Sequence, residues 1–95
     1  MDIVLLDGYS LNFDLTWSKL SNLGNCTFYD QTPVDDTEEI IKRIDNAEIV
    51  ITHKTPLRSE VLKQVPNLKY IGIMGTGYDV VDIESAHQHD IIVTN

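Results

Sequence analysis

The chain has 95 residues, 42% hydrophobic and 23% charged, with 15 acidic side chains against 7 basic ones and a formal charge of −8. That length admits one small domain, and that charge excludes a phosphate-binding face of clustered Lys and Arg, so no nucleic-acid partner is expected. Cys26 is the single cysteine, which excludes an internal disulfide, and no polybasic block or spanning-length apolar run is present, so no membrane partner is expected and a cytoplasmic location is the default.

Ile3 to Leu6 is an unbroken apolar run closed by Asp7-Gly8, the pattern of a strand covered on both faces, as in a parallel sheet. Thr16 can cap a helix with Trp17, Leu20 and Leu23 on one side and Gly24 as its stop. Cys26 to Tyr29 reads as a second strand. In the segment TPVDDTEEIIKRIDNAE, Asp36 or Thr37 can open a helix whose first turn is acidic and whose end carries Lys42-Arg43, both suited to the helix dipole. Ile40, Ile41 and Ile44 give that helix its apolar stripe.

Glu48 to Thr52 is a third strand, β-branched at its centre, followed by the loop His53-Lys54-Thr55-Pro56. Ser59 can cap a short helix with Val61, Leu62 and Val65 inward, ended by Pro66. Lys69 to Met74 is the fourth strand, and it delivers the glycine-rich segment Gly75-Thr76-Gly77-Tyr78-Asp79. Asp82 can cap a helix running through His89, and Ile91 to Val93 is a fifth strand. Trp17 and Tyr70 read as core residues. The alternation of strand and helix with short connections argues for an α/β three-layer sandwich with a five-stranded parallel sheet, and the flavodoxin-like order 2-1-3-4-5 is the leading choice by analogy. No helix follows the last strand, so residues 1–95 read as a fragment or trimmed domain, and the uncovered strand predicts either a homodimer or poor solubility of the isolated lobe.

In such a sheet ligands gather at the carboxyl ends of the strands. Those ends carry Asp7-Gly8, Tyr29-Asp30, His53-Lys54-Thr55, Gly75 to Asp79 and Asn95. A phosphoacceptor receiver needs an acidic pair after the first strand and an aspartate after the third; Asp7 stands alone, and Thr52-His53 fills the second place. A flavin phosphate loop finds no match in DGYSLN. The GxG of Gly75 and Gly77 lacks the third glycine of a dinucleotide fingerprint, because Val80 is there. His87 and His89 fit a solvated helix end, His53 fits a packed or solvated loop position, and Asp79 fits loop bracing. No nucleophile–base or metal-ligand spacing appears. What remains is a loop rich in uncovered N–H groups, fit to hold a small anion, with no general acid or base beside it.

The segments LDGYSLN, DLTW, ITHKTPL, LKYIGIMGTGYDVVDIESA and IIVTN, in that order, resemble the amino-terminal part of the D-isomer-specific 2-hydroxyacid dehydrogenases. The likeness is greatest to the glycerate dehydrogenase, or hydroxypyruvate reductase, branch, with its LDGYTLN, DLSW, TNKTPL, YIGVLATGYNVVD and VTN patterns. Met74-Gly75 and Asp79 depart from that branch. The resemblance implies a two-lobed NAD- or NADP-dependent oxidoreductase interconverting 2-keto acids and D-2-hydroxy acids. It implies that residues 1–95 are the substrate-binding lobe, inactive alone. The coenzyme and the catalytic histidine, arginine and glutamate would sit in a Rossmann lobe absent from this chain. It further implies that Thr76 and Gly77, flanked by Gly75 and Tyr78, receive the substrate carboxylate on backbone N–H groups, and that Lys54 lines the pocket. The alternatives are a non-enzymatic interaction module reusing the dehydrogenase fold, or a generic flavodoxin-like domain.

Overall fold

The computed structural model describes residues 1–8, 22, 24–74 and 79–94. Five strands, β1 (Asp2–Leu5), β2 (Asn25–Phe28), β3 (Ile49–Thr52), β4 (Tyr70–Ile73) and β5 (Ile92–Thr94), form one sheet in the order 2-1-3-4-5. Every pairing is parallel, as the unbroken apolar runs predict. Three helices are described: α1 (Thr37–Ile44), α2 (Ser59–Leu62) and α3 (Ile83–Gln88). The helix expected between Thr16 and Gly24, with Trp17, falls on residues that lie outside the described set apart from Asn22 and Gly24.

The register sorts the side chains into two faces. Val4, Val50 and Ile71 align across β1, β3 and β4 and pack with Ile40 and Ile44 of α1, Val61 and Leu62 of α2, and Ala86 of α3 in the larger core. Ile3 and Leu5 align with Ile49 and Ile51 in a smaller core on the opposite face. Each fully buried branched side chain contributes about 1.5–3 kcal/mol of transfer free energy, so the larger cluster supplies most of the driving force.

Helix starts follow local chemistry at two of three places. Asp36 caps α1 by accepting from Glu39 N–H at 3.1 Å, and Asp82 caps α3 by accepting from Ser85 N–H at 3.0 Å. Ser59 is not the cap of α2; that place belongs to Arg58, without a side-chain bond, and the turn is held by the Arg58 carbonyl accepting from Val61 and Leu62. Both longer helices stop without glycine. Asp45 and Asp90 take positive φ instead, at 48° and 58°. At Gly24 a Cβ would sit 2.2 Å from the Met1 carbonyl oxygen, which accepts from Asn25 N–H as β2 joins β1. Tyr70 is half-buried rather than core, its hydroxyl hydrogen-bonded to the Thr94 hydroxyl across β4 and β5.

Candidate functional site

The carboxyl ends of β1, β3 and β4 meet at one edge of the sheet, and an aspartate organises that edge. Because β1 lies beside β3, Asp7, one residue past the Leu6 that ends the apolar run, reaches the loop that follows β3. It is buried, 2% exposed. Its Oδ2 accepts from the backbone N–H groups of His53, Lys54 and Thr55, each at 2.9 Å, and Oδ1 accepts from the Thr55 hydroxyl at 2.8 Å. The Thr52 hydroxyl lies 3.1 Å from Oδ2 and 2.8 Å from the Thr55 carbonyl oxygen, so its one proton is divided between two acceptors. Thr52 and Thr55 are fully buried.

Two influences act on the Asp7 carboxyl. Burial pushes its pKa up, but the N–H groups of His53 and Thr55, the Thr55 hydroxyl and the Lys54 N–H outweigh burial and hold it below the usual aspartate range. Asp7 is therefore an ionised internal acceptor with its lone pairs engaged. It is unsuited to act as a general base, since a proton arriving on it would break the bonds that hold the loop.

The loop after β3 is also fastened to the chain that follows β4. Leu57 and Val81 form an isolated parallel bridge, in which Leu57 N–H donates to the Val80 carbonyl at 2.6 Å and Asp82 N–H donates to the Leu57 carbonyl at 3.0 Å. At the strand end itself, Met74 N–H donates to the Thr52 carbonyl at 2.8 Å. The loop His53 to Pro56 and the described residues on either side of the glycine segment, Met74 before it and Val80 to Asp82 after it, are thus fastened to one another. Lys54 is exposed, with its backbone held by Asp7. Gly75, Thr76, Gly77 and Tyr78 lie outside the described residues; Met74 before them is half-buried and Asp79 after them is exposed.

Sequence reasoning weighed Asp7 only as half of a phosphoacceptor pair and assigned loop bracing to Asp79. The available signal was an aspartate ending a wholly buried strand, together with two threonines spaced to face it from the neighbouring strand's loop. His87 lies in the last turn of α3, and His89 caps it with its Nδ1 2.8 Å from the Ser85 carbonyl; both are exposed, as expected of a helix end. Burial pushes the Cys26 thiol up, away from thiolate chemistry. A groove of about 240 Å³ between β2 and the end of α1, bordered by Thr27, Tyr29, Lys42 and Asn46, contains none of the sequence-predicted site residues.

The profile of the D-isomer specific 2-hydroxyacid dehydrogenase catalytic domain matches residues 11–95. The chain belongs to that family. It is 49% identical over 96 residues to a hydroxypyruvate reductase of Blautia hydrogenotrophica, a match covering 100% of this chain and 30% of that protein. It is 47% identical over 58 residues to a glycerate dehydrogenase of Methylorubrum extorquens, covering 61% of this chain and 18% of that one. Among solved structures, an acyclic imino acid reductase in complex with NADPH and D-Arg superposes with a TM-score of 0.83 at 27% identity, covering 100% of this chain and 30% of that one. The chain thus spans less than a third of the length of these dehydrogenase relatives. The sequence likeness and the strand order agree on a flavodoxin-like dehydrogenase domain.

Proposed function

We propose that residues 1–95 are the substrate-binding lobe of an NAD(P)-dependent 2-hydroxyacid dehydrogenase acting on a small 2-keto acid of the hydroxypyruvate or glyoxylate kind. The observation that carries this reading is the joined frame at the carboxyl edge, where Asp7 locks the loop after β3 and the Leu57–Val81 bridge ties that loop to the chain after β4. Family membership and the names of the relatives support the chemistry. In this reading the N–H groups of Thr76 and Gly77, with Gly75 and Tyr78 flanking, receive the substrate carboxylate, and Lys54 contributes a cation at the pocket wall. Backbone donors hold a carboxylate through charge-assisted bonds without requiring a paired base.

The described residues do not fit a dinucleotide cradle. Val80, standing where the fingerprint needs its third glycine, is half-buried against the larger core, and α3 opens only at Ile83, after the Asp82 cap. In this reading the coenzyme, NAD or NADP, and the acid–base group belong to a Rossmann lobe outside residues 1–95, and this lobe binds and orients the acid. The reading takes the enzyme to be cytoplasmic; among the described residues no helix is long and apolar enough to cross a membrane. It also includes a homodimer, for which Ile92, 62% exposed on the edge strand β5, is the supporting feature. No feature of the described residues favours the interaction-module alternative.

The test compares the 95-residue chain with the complete polypeptide that carries it, using hydroxypyruvate, glyoxylate and NADH or NADPH. The expected result is turnover by the complete polypeptide and none by the chain alone. Turnover by the 95 residues would refute the division between lobes, and a complete polypeptide inert toward every 2-keto acid would refute the function. Gly77→Val in the complete enzyme is expected to weaken substrate binding; unchanged kinetics would remove the loop from the site.

A further inference from the structure

The backbone cradle after β3 is already full. Three successive N–H groups, from His53, Lys54 and Thr55, converge on a single oxygen at 2.9 Å each. Successive N–H groups turned toward one point form a nest that takes an anion. Here the anion is Asp7, supplied by the chain itself from the adjacent strand. The bonds span 46 to 48 residues of sequence, so the nest is assembled by the sheet order rather than by the local loop. Two things follow. A carboxylate from solution finds no donors there, and the backbone of Lys54 is pinned at its own N–H, so its long side chain starts from a fixed root. Fixing that root lowers the ordering cost when the ammonium meets a ligand.

We propose that Asp7 is a positioning residue of the substrate site: its carboxylate occupies the nest after β3 and thereby fixes the root of Lys54. This rests on the substrate-lobe reading. A purely structural aspartate would add stability without changing the affinity of a folded protein for its keto acid. A positioning aspartate sets that affinity, and a small carboxylate of the same chemistry can replace it.

The test uses Asp7→Ala in the complete enzyme, assayed with hydroxypyruvate and NADH across a formate series, and Asp7→Ala in the 95-residue chain, followed by amide NMR. Expected are a KM raised about tenfold with kcat within about twofold, a fall of that KM toward the wild-type value as formate fills the nest, and formate-dependent shifts of the 53–55 amides in the variant alone. In the wild type formate should act only as a competitor. A folded variant with unchanged KM, or a raised KM that formate does not lower, would overturn the proposal. If Asp7→Ala fails to fold, Asp7→Asn decides, because it keeps one acceptor for the three N–H groups but turns an amide donor toward Thr55; its KM should rise severalfold with kcat held, and a wild-type KM would overturn the role. If the wild-type enzyme does not reduce keto acids, the substrate-lobe reading fails and takes the positioning role with it. The formate-induced amide shifts separate that failure from an error in the geometry of the nest.

Discussion

Thr55→Val tests the carboxylate frame with the smallest change of shape. Thr55 is fully buried, and its hydroxyl is the partner of Asp7 Oδ1 at 2.8 Å, whereas Oδ2 keeps three N–H donors whatever happens at position 55. Replacing the hydroxyl by a methyl removes a hydrogen bond to a charged group, worth about 1.5–3 kcal/mol, and returns up to about 0.8 kcal/mol through the added apolar burial. The net loss is about 1–2 kcal/mol, and at about 4–8 °C per kcal/mol for a domain of this length Tm should fall by about 4–16 °C. The sign of the pH dependence follows from Asp7. Its pKa is lowered in the folded chain, so its contribution is fully present above the unfolded value of about 3.9 and is lost as pH falls through the folded value below that. Wild type and variant should therefore differ most at neutral pH and converge in strong acid. Urea unfolding over a pH series measures both quantities. A variant within about 0.5 kcal/mol of wild type at pH 7, or a gap unchanged down to about pH 2, would refute the claim that an ionised, bonded Asp7 holds the edge together.

Thr52→Val should cost less, about 0.5–1.5 kcal/mol by urea unfolding, because its single proton lies nearer the Thr55 carbonyl at 2.8 Å than Asp7 at 3.1 Å; a larger loss than Thr55→Val would reverse the assigned roles. Arg43→Met should lower stability by about 1–2 kcal/mol, since Arg43 stacks 4.5 Å from the Tyr29 ring centroid and donates to Glu39, the Gln31 carbonyl and the Thr32 hydroxyl, which itself donates to the Leu6 carbonyl; an unchanged urea midpoint would show that this network contributes nothing. Asp82→Ala should cost about 1 kcal/mol through loss of the α3 cap, and helical content measured by circular dichroism at the unfolding midpoint checks it. Gly24→Ala places a methyl against the Met1 carbonyl oxygen and should cost about 1–3 kcal/mol; a Tm equal to wild type would mean that β1 and β2 can part there freely.

Strand identity, parallel pairing and helix faces were legible because they rest on local pattern, whereas the order 2-1-3-4-5 came by analogy to the fold. Ile3 to Leu6 and Glu48 to Thr52 carry apolar runs whose parallel, doubly covered character follows from the absence of alternation, and the Ile40–Ile44 stripe shows at helical spacing. Strand bounds differ from expectation by a residue or so: β4 ends at Ile73 rather than Met74, and β5 begins at Ile92 because Ile91 is spent on packing with α3. Helix ends were less legible. A helix stop is commonly announced by glycine, but Asp45 and Asp90 adopt positive φ in its place, tolerated because a short polar side chain can hydrogen-bond locally. At Gly24 the small size also answers to a neighbouring strand, a demand that a linear reading does not show.

Asp7 shows why a site of this kind hides from a linear reading. Nothing within five residues of it announces a partner, and an aspartate after a buried strand is equally the mark of a phosphoacceptor or a turn. Its role depends on β1 lying next to β3, which brings Thr52 to Thr55 across at a separation of 45 to 48 residues. Given the order 2-1-3-4-5, the inference becomes available: a buried carboxylate must find donors, and the loop of the adjacent strand is where they can be supplied in number. At the end of β4 the described contact to β3 is Met74 N–H on the Thr52 carbonyl. An internal anion satisfies the nest after β3, and the residue that supplies that anion is set by which strand neighbours β3.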